Sequence, residues 1–284
     1  MRGVLRRRRP REPIALSHVG MDMNQVQRLV GVRRVAGLEA TGAVRQHLRS
    51  DQASTRAASR RAVLASWTAL GGLVVFNVGW FVAGLLEGSD YSAASDYISE
   101  LSALTAHHAW LMLGANAYCG VAIIAFAFLG FRPALAQVKG SVLSTASIVL
   151  SALGADTITD VFFRLNCRRA DGCTLLQESA SWHGAIHVVV GALTIIVLLV
   201  APFVVAHCLR RAPAWADLAP WSLVLGIAID LATLGFMVPA TVGYAQRLLL
   251  LEGSIWLAIL AVRVLRLARG SRGNQTPRRP LSWA

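Results

Sequence analysis

Charged residues are scarce: Asp, Glu, Lys and Arg make up 15% of the 284 residues, whereas 55% are hydrophobic. That balance excludes an ordinary soluble domain of this length. Also missing are a phosphate-cradling P-loop, a dinucleotide fingerprint and a nucleophile elbow. The glycines of ALGGLVVFNVGWFVAG lie inside an apolar run, where close helix packing explains them. Nothing therefore supports ATP-driven chemistry. No segment repeats at a fixed period and the two halves share no pattern, so the inverted-repeat signature of many secondary transporters is absent.

What the sequence does have is long apolar runs. A spanning helix needs ~20 mainly apolar residues, because backbone polar groups have no water to bond to in a hydrocarbon layer ~30 Å thick. Six stretches meet that demand, at about 63–86, 109–131, 140–163, 183–208, 218–240 and 244–267. The expectation is an all-α, polytopic six-helix transmembrane bundle over residues 62–268. A basic, disordered cytoplasmic tail is expected over 1–61, and a second basic tail over 269–284. Met21 and Met23 offer an alternative start to the chain.

The net charge of +13 belongs to orientation and not to nucleic acid, since no soluble basic domain carries it. In a six-span arrangement, 24 of the 28 Lys and Arg fall on one side, and only Arg164, Arg168, Arg169 and Arg247 on the other. The positive-inside rule then puts both termini in the cytoplasm and the acidic 87–108 loop outside. Aromatic residues at span ends agree: Trp110, Trp182 and Tyr244 on the outer side, and Trp67, Trp215 and Trp221 as interfacial anchors on the inner side. The lipid bilayer is the expected partner, with anionic headgroups available to the basic tails.

Of four cysteines, Cys119 and Cys208 lie in spans, while Cys167 and Cys173 share the outer turn NCRRADGC. A disulfide is expected there, in an oxidising compartment, pinning the third span to the fourth. Zinc is the rival reading, although the pair supplies only two of four ligands.

Within the spans, Ser144, Ser147, Ser151 and Ala155 form a small-residue packing stripe. The same span ends in GADTITDVFF, which sets Asp156 and Asp160 on one helical face. A central Asp costs roughly 2.5–3.5 kcal/mol to insert, so such acids face the bundle interior and have partners. SWHGAIHVVVG opens the fourth span from the same side, which brings His183 and His187 to the depths of Asp160 and Asp156. Two readings stay open. One is a divalent metal such as zinc held by Asp160, His183 and His187; the zincin signature is missing, because Gly184 stands where it needs glutamate. The other is hydrogen bonding or proton sharing across helices.

Asp230 and Glu252, also inside spans, would extend the cluster into a proton path. In the first outer loop Asp96 and Glu100 lie four apart on a short interfacial helix capped by Ser95. A solvated acidic face is the expected meaning, with a cavity mouth or cation site as the alternative.

GSDYSAA, SDYISELSA and SWHGAIH together resemble the bacterial and archaeal membrane family called domain-of-unknown-function 998, over about residues 64–268. The resemblance is strongest from Asp96 to Leu101. It implies a compact multi-span protein of a bacterial cytoplasmic membrane and assigns no activity; the arginine-rich NCRRADGC departs from the acidic, proline-containing turn expected of the family. A looser similarity to membrane hydrolases such as alkaline ceramidases lacks their late HxxxH. Three functions fit these residues: a transporter-like or small-ligand-binding protein, a metal-dependent hydrolase of a lipid or envelope substrate, and a non-catalytic membrane component. No residue is assigned as catalytic.

Overall fold

The computed structural model describes residues 23–273, with side chains described at His47 and from residue 50 to 270. The alternative start at Met21, the first 22 residues of the basic tail and the tail beyond Gly273 lie outside the described residues. These fall into two units, one up to Ser54 and one from Thr55. From Met23 to Ser54 the chain is helical, where composition predicts an unstructured tail. No proline stands between Pro13 and Pro133, and Arg, Ala, Leu and Gln are frequent, so nothing breaks the helical ladder.

No strand occurs among the described residues. The helices are α1 (Met23–Leu86), α2 (Ala109–Phe126), α3 (Arg132–Ala134), α4 (Ser141–Val149), α5 (Thr157–Phe162), α6 (Leu175–Glu178), α7 (Trp182–Leu209), α8 (Ala219–Ala232) and α9 (Val242–Gly273). Five stretches are long and apolar enough to cross a membrane: Ser50–Leu86, Ala109–Ala134, Trp182–Leu209, Ala216–Met237 and Pro239–Gly270. A sixth is present if Ser141–Val149 and Ala152–Phe162, bent by 42°, count as one span. Large apolar side chains such as Val74, Val121, Leu143, Leu193, Ile196 and Val224 are exposed, which suits a hydrocarbon solvent. The chain is thus an all-helical, multi-pass membrane protein.

Inside, packing is aromatic and locally polar. Trp256 Nε1 donates to Ser222 Oγ at 2.8 Å, and that hydroxyl donates to Pro202 O at 2.8 Å, which ties α9, α8 and α7 together. Trp215 corrects an expectation: only 1% exposed, it packs edge-on against Phe131 in the core instead of anchoring at the interface. Trp67, Trp110, Trp182, Trp221 and Tyr244 are exposed, as anchors should be.

The third apolar run, expected to be one continuous helix, is broken at Ser151, which adopts extended backbone (φ −74°, ψ 168°). Preceding hydroxyls prepare the break by bonding back to the helix, Thr145 to Ser141 O at 2.7 Å and Ser147 to Ser144 O at 2.9 Å. A π-turn (Ala152–Asp156) then leads into α5. Gly154 makes the turn sterically feasible, since a Cβ there would lie 2.3 Å from Val149 O and 2.8 Å from Ile148 O. Irregular backbone at membrane depth is tolerated where it is buried in protein or borders a cavity. Here it does both.

The loops at 87–108 and 163–181 and the start of α9 form a cap at one end of the bundle. Asp96 and Glu100, expected on a solvated face, are 7% and 0% exposed. Asp96 accepts from Ser92 N at 2.7 Å, and Glu100 from Tyr97 N at 3.1 Å and Arg169 N at 2.8 Å. The expected helix is a short 3₁₀ turn (Ile98–Ser102) that begins after Tyr97 and not at Ser95. All four arginines assigned to this side are engaged in the cap. Arg164 donates to Ser102 O and Ala103 O, both at 2.7 Å. Arg168 pairs with Glu87, and with Asp171 at 2.6 Å. Arg169 pairs with Glu178 at 3.0 Å. Arg247 donates to Ala93 O, Asp96 O and Gly243 O at 2.8–2.9 Å and to the Tyr91 hydroxyl. The disulfide Cys167–Cys173 brackets Arg168 and Arg169.

Candidate functional site

Beneath the cap lies a cavity of about 510 Å³. Its roof comes from Tyr97, Ile98, Ser99, Arg169, Leu175 and Glu178, and its polar wall from Asn116, Asp156, Thr157, Asp160, His187 and Gln246. Phe76, Ile195, Leu199, Phe236 and Leu250 make much of the apolar remainder. The broken span brings Asp156 and Asp160 into this wall, and α7 supplies His187.

His187 Nδ1 lies 3.0 Å from Asp160 Oδ1 and 3.0 Å from Phe163 O. Both neighbours are acceptors, which assigns the ring proton to Nδ1. Nε2 has no partner among the described residues. Asp160 Oδ2 accepts from Asn116 Nδ2 at 3.4 Å. Asp156 is bonded through its side chain to Thr194 on α7, but its Oδ1 is buried without a hydrogen-bond partner.

Four residues were expected to converge, and three do. His183 lies outside the cavity wall, where its ring stacks on Trp182 at 3.6 Å between centroids and packs 5.9 Å from Phe163. The helical register therefore pairs Asp160 with His187 instead of with His183. The reason is local: the chain leaves α5 at Phe163, whose carbonyl meets His187. Among the described residues no group of three or more His, Cys, Asp or Glu is arranged to hold a metal ion. The proposed ligand set of Asp160, His183 and His187 does not assemble, so the donors present do not fit zinc.

Asp230 and Glu252 do not join the site. Neither lines the cavity, and each keeps one buried carboxylate oxygen without a partner. Asn116 and Gln246 were missed. The single asparagine in LGANAYCG was a usable signal, because an amide inside an apolar run needs a partner. Gln246, which accepts from Ile98 N at 2.6 Å, gave none.

The roof is electrostatically set. Arg169 lies 4.5 Å over the Tyr97 ring while paired with Glu178. Burial pushes the Glu100 carboxyl up to about 7, against two backbone N–H bonds that favour its charged form. The Arg168 guanidinium holds Asp171 down to about 2. At Glu87 burial pulls upward, yet the N–H groups of His108 and His107 and the charge of Arg168 keep its carboxyl below the usual range.

Helices that cross a membrane around an amphipathic cavity define the class: a multi-pass membrane protein with an internal pocket. A family model described as protein of unknown function (DUF998) matches residues 69–263, and the chain belongs to that family. No curated protein and no solved structure matches it.

Proposed function

We propose that this is a six-span protein of a bacterial cytoplasmic membrane, with both termini in the cytoplasm, that holds a small ligand in the cavity beneath the cap. One observation carries the binding reading: a cavity of about 510 Å³ whose apolar walls converge on Asp156, Asp160, His187 and Asn116. Small-molecule sites usually have that form, an apolar pocket of a few hundred Å³ with few convergent polar groups.

The orientation is supported by charge and by redox chemistry. Arg132, Lys139, Arg210, Arg211, Arg263, Arg266 and Arg269 lie towards the end opposite the cap, within reach of anionic headgroups. The disulfide sits in the cap and suits an oxidising compartment. Transport and hydrolysis are not part of the proposal, since Asp230 and Glu252 stand apart from the cavity and His183 from the Asp160–His187 pair.

The test uses the full chain in nanodiscs of zwitterionic lipid, with decylamine, decanol and decanoate as probes. At least one probe raises the unfolding temperature, and Ala192→Trp, which fills the cavity from α7, abolishes the rise. No shift with any of the three overturns the reading.

A further inference from the structure

We propose that the ligand is a single-chain amphiphile with a cationic nitrogen head, which enters from the lipid between the cap-side half of α7 and the turn at residues 233–237. This rests on the cavity being a binding site and adds the ligand's charge and route. The charge follows from pairing around the cavity. Three carboxylates line it, Asp156, Asp160 and Glu178, against two basic side chains. Arg169 is taken by Glu178 at 3.0 Å and by the Tyr97 ring, and His187 by Asp160 at 3.0 Å. Asp156 feels the charge of His187 but forms no ion pair of its own among the described residues, and one of its oxygens lacks any hydrogen bond. An unpaired carboxylate in a low-dielectric wall is costly, and a bound ammonium removes that cost with a charge-assisted hydrogen bond. An anionic head meets the opposite situation, because the one guanidinium in the wall is already bonded.

The tail and the route follow from the helices. Gly191 stands beside Asp156, with Oδ1 3.8 Å from where a Cβ would be. From Gly191 to Leu199 the cavity follows α7 for eight residues, roughly 12 Å at the helical rise, along Ala192, Ile195 and Leu199. Across the seam stand Thr233 and Phe236. Towards the other end the seam is shut, since Gly226 packs so closely on Pro202 and Phe203 that a Cβ there would lie 3.0 Å from Pro202 Cβ. Beside the part of the seam that lines the cavity, Val188, Val189, Ile196 and Leu234 are exposed on the lipid-facing surface. An apolar chain reaches this slot without crossing water.

In the same nanodiscs, decylamine binds at least tenfold more tightly than decanol, and decanoate binds weakest. Asp156→Asn brings amine and alcohol within twofold of each other, while Ala192→Trp removes binding of both. Equal affinity of the unaltered protein for amine and alcohol, or tighter binding of decanoate, overturns the cationic ligand while leaving the cavity a binding site. This comparison of head groups needs no variant, so it decides even where Asp156→Asn fails to fold. An amine preference that survives in folded Asp156→Asn also overturns the assignment. No binding of any probe defeats both readings.

Discussion

At the scale of single residues, the cap depends on charges that are buried and bonded. Arg247, 8% exposed, contributes one guanidinium to three carbonyls and a phenol, in a fork geometry that lysine does not reproduce. Arg247→Met leaves those carbonyls unsatisfied and is expected to cost about 3 kcal/mol, with Arg247→Lys intermediate, read as loss of unfolding free energy in a denaturant titration. Glu100 gives a pH dependence of definite sign. Its carboxyl rises from 4.5 to about 7 on folding, with burial the main cause and the neighbouring Asp96 and Glu178 adding to it. The folded state therefore holds a proton that the unfolded state has released. That stabilisation is complete below about pH 4.5 and is lost as pH rises through 7, a swing of about 3 kcal/mol by linkage. Glu100→Gln is expected to flatten unfolding free energy between pH 5 and 7; an unchanged slope would show that another group is responsible. Asp171, held down to about 2 by Arg168, acts in the opposite sense and in a separate window, its contribution disappearing as pH falls from about 4 towards 2. These cap charges were misread in the sequence because their partners are remote: Glu100 accepts from a residue 69 positions away, and Arg247 reaches Asp96 across 151. Local charge patterning carries no trace of such pairs.

At the scale of elements, the broken span decides what the cavity contains. The serines at 144, 147 and 151 were legible as a packing stripe, and two of them, Ser144 and Ser151, are wholly buried. The break itself was not legible, because periodicity registers which residues are apolar and not where a hydroxyl diverts the ladder. That omission also explains His183. A continuous helix pairs it in depth with Asp160, whereas the π-turn and short α5 move the match to His187. Gly154 tests the element directly. Gly154→Ala places a Cβ 2.3 Å from a backbone carbonyl oxygen, which cannot swing aside as a side-chain tip does. The variant is expected to lose about 2–4 kcal/mol of stability and to lose probe binding with it, in thermal unfolding and binding on the same preparation. Gly243 is a second such contact, where a Cβ would meet Ala93 O and Asp96 O at 2.6 Å, under the cap.

At the scale of the whole molecule, the spans were legible because the bilayer imposes a length and a polarity that few other contexts demand. The acids at 156 and 160 were legible for the same reason, since a carboxylate in such a run requires an explanation. What joins them to a cavity was not, because the roof is assembled from loops that are distant in sequence. The proposed orientation has a decisive measurement. If both termini are inside, as proposed, the cap faces the oxidising side, and Cys167 and Cys173 become reactive from outside intact cells only after reduction. Cys119 and Cys208 are buried and stay silent. Impermeant maleimide should therefore label reduced intact cells at the cap cysteines, while Lys139→Cys, at the opposite end, is labelled only after permeabilisation. Labelling of Lys139→Cys in intact cells would invert the topology and place the disulfide in the cytoplasm. The same bond carries a stability prediction: closing so short a loop is worth ~2 kcal/mol in the chain-entropy account. Replacing Cys167 and Cys173 together by serine should lower the unfolding free energy by that amount, and reductant should do the same to the unaltered protein while leaving the double variant unmoved. Because Arg169 sits between these cysteines and forms part of the cavity roof, the double variant should also bind decylamine more weakly. Binding that is unaffected despite the lost stability would mean that the ion pair of Arg169 with Glu178 holds the roof without the bridge.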